Sequence, residues 1–425
     1  MRSRAPISGV IAAFAVVTLT GLVWTWRPSI GPLTADETHA GDIQVIRRGA
    51  ELAAIGNCNV CHTAPSGRPF AGTLPLSTPF GTIYSTNITP DVETGIGAWS
   101  EAAFLRSMRD GVDREGRHLY PAFPYDHFVI ATDNDIQAIY AFLMSLPAVR
   151  STAPKTDLVF PLSFRPLLAG WKILFLREGP IQYDPGRSAE WNRGKYLVEG
   201  LGHCGSCHTP RNIMGAEKKG SAFAGGVADG WDAPALSTSA ATGRGWTVDH
   251  LTKYLSTGWH PLHGAAAGPM ADVINNLRKV TTADVRAIAV YVASLSPRPE
   301  GAEALQAPAR QNATPGATAE IAAIFNGSCA QCHSDTANIG PSNALPLSIS
   351  STLRQPRAAN TVRVILNGIQ AYRDTGGPYM PAFDGVLSDE QLASVVEFVR
   401  ARYTSEPRWT DIPGEISTAR QATEK

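Results

Sequence analysis

Along the chain, apolar positions recur at three- and four-residue steps in short runs, and long Gly- and Pro-rich stretches separate the runs. Three of them read alike: TDNDIQAIYAFL, TTADVRAIAVYV and SDEQLASVVEFV. Each predicts an amphipathic helix with one buried face. Ile136, Val285 and Leu392 correspond in them, as do Phe142, Tyr291 and Phe398. A middle helix is predicted upstream of each. EAAFLRSMRDG follows the cap signal Trp99-Ser100 and ends at Gly111, VDHLTKYLSTG follows Trp246-Thr247 and ends at Gly258, and TVRVILNG ends at Gly368. Further upstream, RRGAELAAIGN and NRGKYLVEGLGH predict first helices. The chain opens differently. Residues 5–26 carry no charge and lie between Arg2, Arg4 and Arg27. The run is just long enough to cross a bilayer. It reads as an uncleaved signal anchor with Arg2 and Arg4 in the cytoplasm, or as a cleaved signal; both readings export the body of the protein.

At 425 residues, two to four domains are expected. Apolar residues at 44% and charged residues at 17% exclude a disordered chain. Lys+Arg and Asp+Glu both number 37, which removes any electrostatic case for nucleic-acid binding. The six cysteines are too few for a disulfide scaffold of this length.

All six fall in three copies of Cys-x-x-Cys-His: Cys58, Cys61 and His62; Cys204, Cys207 and His208; Cys329, Cys332 and His333. This is the attachment signature of c-type haem. Two thiols near a helix end reach one edge of the porphyrin and form thioethers, and the adjacent His lies under the iron. A zinc site would pair two such units in one module. A redox CxxC would open a helix after a strand. Disulfides would leave three histidines unexplained. The expectation is three covalently bound haem c groups.

The order first helix, haem motif, long loop, middle helix, loop and last helix resembles the class I cytochrome c domain. The resemblance implies an all-α chain of three tandem domains, here placed after the N-terminal membrane-anchor helix read from residues 5–26. The boundaries are 1–40 for the anchor and linker, 41–150, 187–297 and 317–403 for the domains, 151–186 and 298–316 for linkers, and 404–425 for a C-terminal tail. The first linker, with LVFPLSFRPLLAGWKILF, is very apolar. It either packs on the first two domains or forms a docking strip for a partner or a membrane surface.

A His/Met pair raises the potential of an electron-transfer haem. Met270 and Met380 stand twelve positions after Gly258 and Gly368, in the following loops, and read as the sixth ligands of the second and third haems. Twelve positions after Gly111 stands Phe123, which cannot ligate. For the first haem the choices are Met108 in the middle helix, His118 or His127, or an open iron; Met108 is preferred. His203 reads as a residue near a haem edge. His250, His260 and His263 read as surface or propionate-facing residues.

NITPDVETGIGAWS, GRHLYPAFPYDHF and AEWNRGKYLVEGLGHCGSCHTPRN resemble the three-haem cytochrome c subunit of bacterial membrane-bound dehydrogenases. That resemblance implies an electron-transfer subunit and not an enzyme, with catalysis in a partner. The partner would be a molybdenum hydroxylase, or a quinoprotein or flavoprotein dehydrogenase. Phe123 stands where the alcohol and gluconate branches carry Met, so the molybdenum-hydroxylase branch is favoured. Electrons would pass to ubiquinone or a terminal oxidase on the periplasmic side of the inner membrane. The rival readings are a free-standing membrane-anchored carrier, a peroxidase-like enzyme using an open first iron, and a cytochrome subunit of a terminal oxidase.

Overall fold

The computed structural model describes residues 25–33, 41–176, 179–237, 245–296, 319–333, 345–369, 372 and 376–423. Most of the expected anchor and all of the linker 298–316 lie outside the described residues. Among those described, no helix is long and apolar enough to cross a membrane. The chain divides into two compact units, Met1–Gln182 and Tyr183–Lys425.

The first unit contains α1 (Ile43–Ile55), α2 (Cys58–Cys61), β1 (Pro75–Thr78), β2 (Gly81–Tyr84), α3 (Glu101–Asp110), α4 (Tyr125–Phe128), α5 (Asp133–Met144), β3 (Asp157–Leu158) and α6 (Leu167–Phe175). Side-chain caps start the helices that carry the core. Asp42 accepts from Gln44 N, Ser100 from Ala103 N and Thr132 from Asp135 N, each satisfying an orphan amide. Helix α3 stops at Gly111, whose φ of +57° only glycine adopts without strain. Helices α1 and α5 cross with little between them. Leu52, Ile55, Ile136, Ile139 and Leu143 fill the surrounding core. The Arg109 guanidinium joins α3 to Asp133 at the start of α5, 2.5 Å away.

The long loop and the apolar segment of this unit both carry secondary structure. The loop after the first motif folds into an antiparallel hairpin of β1 and β2, extended by β3. Segment 151–186 supplies β3 and α6. Trp171 of α6 packs edge-on against Tyr125, at 6.1 Å and 86°. The buried Lys172 ammonium donates to the Asp110 and Gly111 carbonyls at 2.5 and 2.6 Å and meets His118 Nδ1 at 2.9 Å. This amine is thus set at the negative end of α3, while burial brings its pKa down to about 7. Leu167, Ile173 and Leu174 of the same helix remain exposed.

The second unit holds the other two motifs. Its elements are α7 (Ala189–Glu199), α8 (Gly205–His208), β4 (Gly226–Ala228), β5 (Trp231–Ala233), α9 (Val248–Thr257), β6 (Trp259–His260), β7 (Gly264–Ala265), α10 (Pro269–Leu277), α11 (Thr282–Leu295), α12 (Ala319–Ser328), α13 (Ala330–His333), α14 (Ala359–Asn367), α15 (Asp389–Tyr403) and α16 (Ile412–Thr423). Helices α7 and α11 repeat the crossing of α1 and α5, and Arg193 clamps Asp284 across it with contacts of 2.8 and 2.9 Å. Helix α12 meets α15 through Phe325 and Phe398, with ring centres 5.1 Å apart. The caps Thr247, Thr281 and Ser388 start α9, α11 and α15, as the sequence pattern implies.

Segment 404–425 corrects the expected tail, because it carries α16. Ile412, Ile416 and Ala419 recur at four- and three-residue steps and are buried against the core of α14 and α15. The Arg400 guanidinium lies 4.0 Å from the Trp409 ring and donates to the Leu353 and Pro407 carbonyls, which seals the same joint.

Candidate haem sites

Each Cys-x-x-Cys-His motif sits on a single turn directly after a first helix: α2 after α1, α8 after α7 and α13 after α12. None of the six cysteines is in a disulfide. Burial pushes the thiols of Cys58 and Cys204 up to about 12, so they are neutral, and burial also raises Cys207 and Cys329. Such thiols are poor ligands for a free cation.

The histidines share one geometry. His62 Nδ1 lies 2.6 Å from the Thr86 carbonyl, His208 Nδ1 2.7 Å from Pro234 and His333 Nδ1 3.3 Å from Leu345. A carbonyl can only accept, so Nδ1 carries the proton and Nε2 keeps the lone pair. Burial holds all three rings below the usual histidine pKa, and neutral imidazole is the ligating form. The first two acceptor carbonyls are held by structure that sequence reasoning missed. Thr86 follows the β1–β2 hairpin and Pro234 follows β4–β5. The signals available were the β-branched run Gly81–Tyr84 and the Gly-rich turn before Trp231.

Of the expected sixth ligands, Met108 is 4% exposed on α3. Met380 pairs by its backbone with Ile369, just past Gly368. Met270 is not in a loop, which corrects that expectation. Gly268 at φ +56° and Pro269 at the first helical position start α10 there, and Met270 sits in its first turn. Phe123 packs on Phe128 at 5.3 Å. His118 is tied at both nitrogens, Nε2 to the Thr25 carbonyl at 2.8 Å and Nδ1 to Lys172 at 2.9 Å, which leaves it no lone pair for iron. His127 is buried within α4. Of the two alternatives for His260 and His263, surface or propionate-facing, the surface one is corrected, because both are buried and meet His250.

The second and third motifs are joined within their unit. Asp232 and Asn360 exchange two hydrogen bonds of 2.8 Å, and Arg363 donates to the Gly230 carbonyl at 3.1 Å. The middle helix α14 of the third repeat therefore docks on the hairpin whose end holds the His208 acceptor.

Comparison with known proteins gives the family. A family model described as Cytochrome c matches residues 46–147. One described as cytochrome c oxidase, cbb3-type, subunit III matches 316–399. The chain is 36% identical to the gluconate 2-dehydrogenase cytochrome c subunit of Pantoea cypripedii, covering 89% of this chain and 90% of that protein. It is 35% identical to the fructose dehydrogenase cytochrome subunit of Gluconobacter japonicus, over 84% and 79%. The chain belongs to the dehydrogenase cytochrome c subunits. Membership implies covalently bound haem c, and the donor sets fit it: paired unbridged thiols, and beside each pair an imidazole oriented to offer Nε2. The chain is also 46% identical to a subunit of nicotinate dehydrogenase from Pseudomonas putida over 97% of its own length. It spans about a third (35%) of that relative.

Proposed function

We propose that this chain is a three-haem electron-transfer subunit of a dehydrogenase, with catalysis in a partner. The observation that carries the reading is the repeated tether of His62, His208 and His333, each Nδ1 on a backbone carbonyl next to an unbridged cysteine pair. Haem c supplies one-electron chemistry when bound. The chain's own residues would do the rest. Cys58 and Cys61, Cys204 and Cys207, and Cys329 and Cys332 tether the group. The Thr86, Pro234 and Leu345 carbonyls hold the imidazoles in one tautomer and orientation. Met270 and Met380, and Met108 in the first repeat, would complete the ligand sets, and the surrounding core excludes water.

This reading includes three tandem domains, 41–150, 187–297 and 317–403, behind an N-terminal anchor at the inner membrane with the body on the periplasmic side. The uncharged run at 5–26 supports the anchor. The partner would be a molybdenum-hydroxylase-type dehydrogenase. Phe123 in place of Met and the similarity to a nicotinate dehydrogenase component favour it over a quinoprotein or flavoprotein. The acceptor would be ubiquinone or a terminal oxidase.

The test is to mature the chain with its export machinery, count haem by pyridine haemochrome, and co-express it with a molybdenum-hydroxylase-type dehydrogenase subunit. Three thioether-bound haems per chain, and reduction by substrate only when the partner is present, are expected. A haem count of zero, or a haem-loaded chain that no dehydrogenase partner reduces, would overturn the reading.

A further inference from the structure

Outside the haem motifs, the second unit gathers three imidazoles. His250 projects from α9, and His260 and His263 flank the turn of the β6–β7 hairpin. One ring nitrogen of each lies within 4.8 Å of the others. His250 Nδ1 and His263 Nε2 are 3.0 Å apart. Ring centres are 4.3 Å apart for His250 and His260, 5.1 Å for His250 and His263, and 5.0 Å for His260 and His263.

From this the geometry points to a site for one divalent transition-metal cation of the zinc class, held by His250, His260 and His263, none of which belongs to a Cys-x-x-Cys-His motif. The donor set selects the cation. Three neutral imidazoles suit Zn²⁺, Cu²⁺ or Ni²⁺, whereas Mg²⁺ and Ca²⁺ require oxygen donors. Three histidines with a fourth position for water is also an arrangement zinc accepts.

The site is built and not incidental. Trp246 stacks flat on His263, at 3.7 Å and 15°, and fixes that ring. The hairpin register pairs His260 with Gly264, so the turn between His260 and His263 has little freedom. His260 and His263 are buried while His250 is partly accessible, which gives an entry side.

The proton balance closes. Without a cation, one ring of the His250–His263 pair donates to the other, and His260 Nδ1 accepts from Leu262 N at 3.2 Å. Binding replaces the His250–His263 hydrogen bond with coordinate bonds. The donor ring moves its proton to its other nitrogen through solvent, so no net proton is released. His260 gives its lone pair to the cation in place of Leu262 N–H, and that amide must find another acceptor.

The test uses the tag-free, haem-loaded full chain, stripped with a chelator and dialysed against micromolar Zn²⁺ near neutral pH. One bound zinc per chain by elemental analysis is expected, with His250→Asn and His260→Asn each weakening retention at least tenfold while haem content and low-spin spectra stay unchanged. Zinc X-ray absorption on the wild-type chain should show an imidazole-nitrogen shell, a reading that does not depend on how the variants fold. No zinc retained, variants that bind as the wild type does, a shell without imidazole, or loss of one low-spin haem in either variant would overturn the site. The haem count is unaffected by this outcome, so failure here is distinguishable from failure of the electron-transfer reading.

Discussion

Gly194 of α7 lies directly against the Ala287 carbonyl of α11, where a Cβ would also come within 2.8 Å of Tyr291 Cβ. Gly49 of α1 meets Ala138 and Phe142 of α5 in the same way, again with 2.8 Å to the ring-bearing Cβ. At both crossings a hydrogen in place of a methyl lets two backbones touch. Gly194→Ala should destabilise the second unit by at least ~2 kcal/mol, because the clash is with backbone that cannot rotate away. Chemical denaturation of the haem-loaded chain checks this. An unchanged midpoint would show that the helices separate without cost.

Removing one cysteine pair should remove one haem. Cys204→Ala with Cys207→Ala is expected to lower the haemochrome yield per chain by about a third, in keeping with one attachment signature per haem, and to leave the first unit folded. A yield unchanged from the wild type would mean that the second motif carries none.

The methionines should sort the irons. Met270→Ala and Met380→Ala are each expected to convert one haem from low to high spin and lower its potential, because a thioether stabilises the reduced form. Met108→Ala should do the same for the first haem. A spectrum already showing one high-spin, carbon-monoxide-binding haem before any substitution would assign the first iron as open and favour the peroxidase-like reading.

Lys172 holds α6 on the first unit through the Asp110 and Gly111 carbonyls and His118. Lys172→Met keeps the stem but leaves three buried acceptors without their donor. A loss of about 1–3 kcal/mol is expected. Limited proteolysis should then cut between Leu158 and Leu167 faster than in the wild type. Equal rates would show that Trp171 and its apolar neighbours hold the segment alone.

Acid should loosen the second unit through His260. Burial first, and then His250 and Lys253, take this ring from 6.5 to about 4. Between those values the unfolded chain binds a proton that the folded chain does not, so the unfolded state binds more protons. Stability present above pH 6.5 is therefore lost as pH falls toward 4. Denaturation curves across that range should slope less steeply for His260→Asn than for the wild type. Parallel slopes would locate the acid sensitivity elsewhere.

Most of the helical frame was legible from local signals. The caps at Ser100, Thr132, Thr247, Thr281 and Ser388, the stops at Gly111, Gly258 and Gly368, and the three last helices all follow from spacing and short-range hydrogen bonding. Helix α16 could also have been read, because Ile412, Ile416 and Ala419 carry the same period, but a single short run after Pro407 resembles a tail. Helix α10 was less accessible. The Gly268-Pro269 pair that starts it reads equally well as a loop.

Which atoms are available for chemistry can be read from the order of residues alone. Three Cys-x-x-Cys-His motifs use every cysteine, and covalent attachment depends only on local spacing along one turn of helix. What orients those atoms, and what else comes together, follows from the folded arrangement. His62 finds Thr86 24 residues away and His208 finds Pro234 26 residues away. His118 is consumed by Thr25 and Lys172, and three scattered histidines converge on one point. Such partners are chosen by chain reversal and packing, which bring distant residues into hydrogen-bonding range and leave no periodic trace in the sequence.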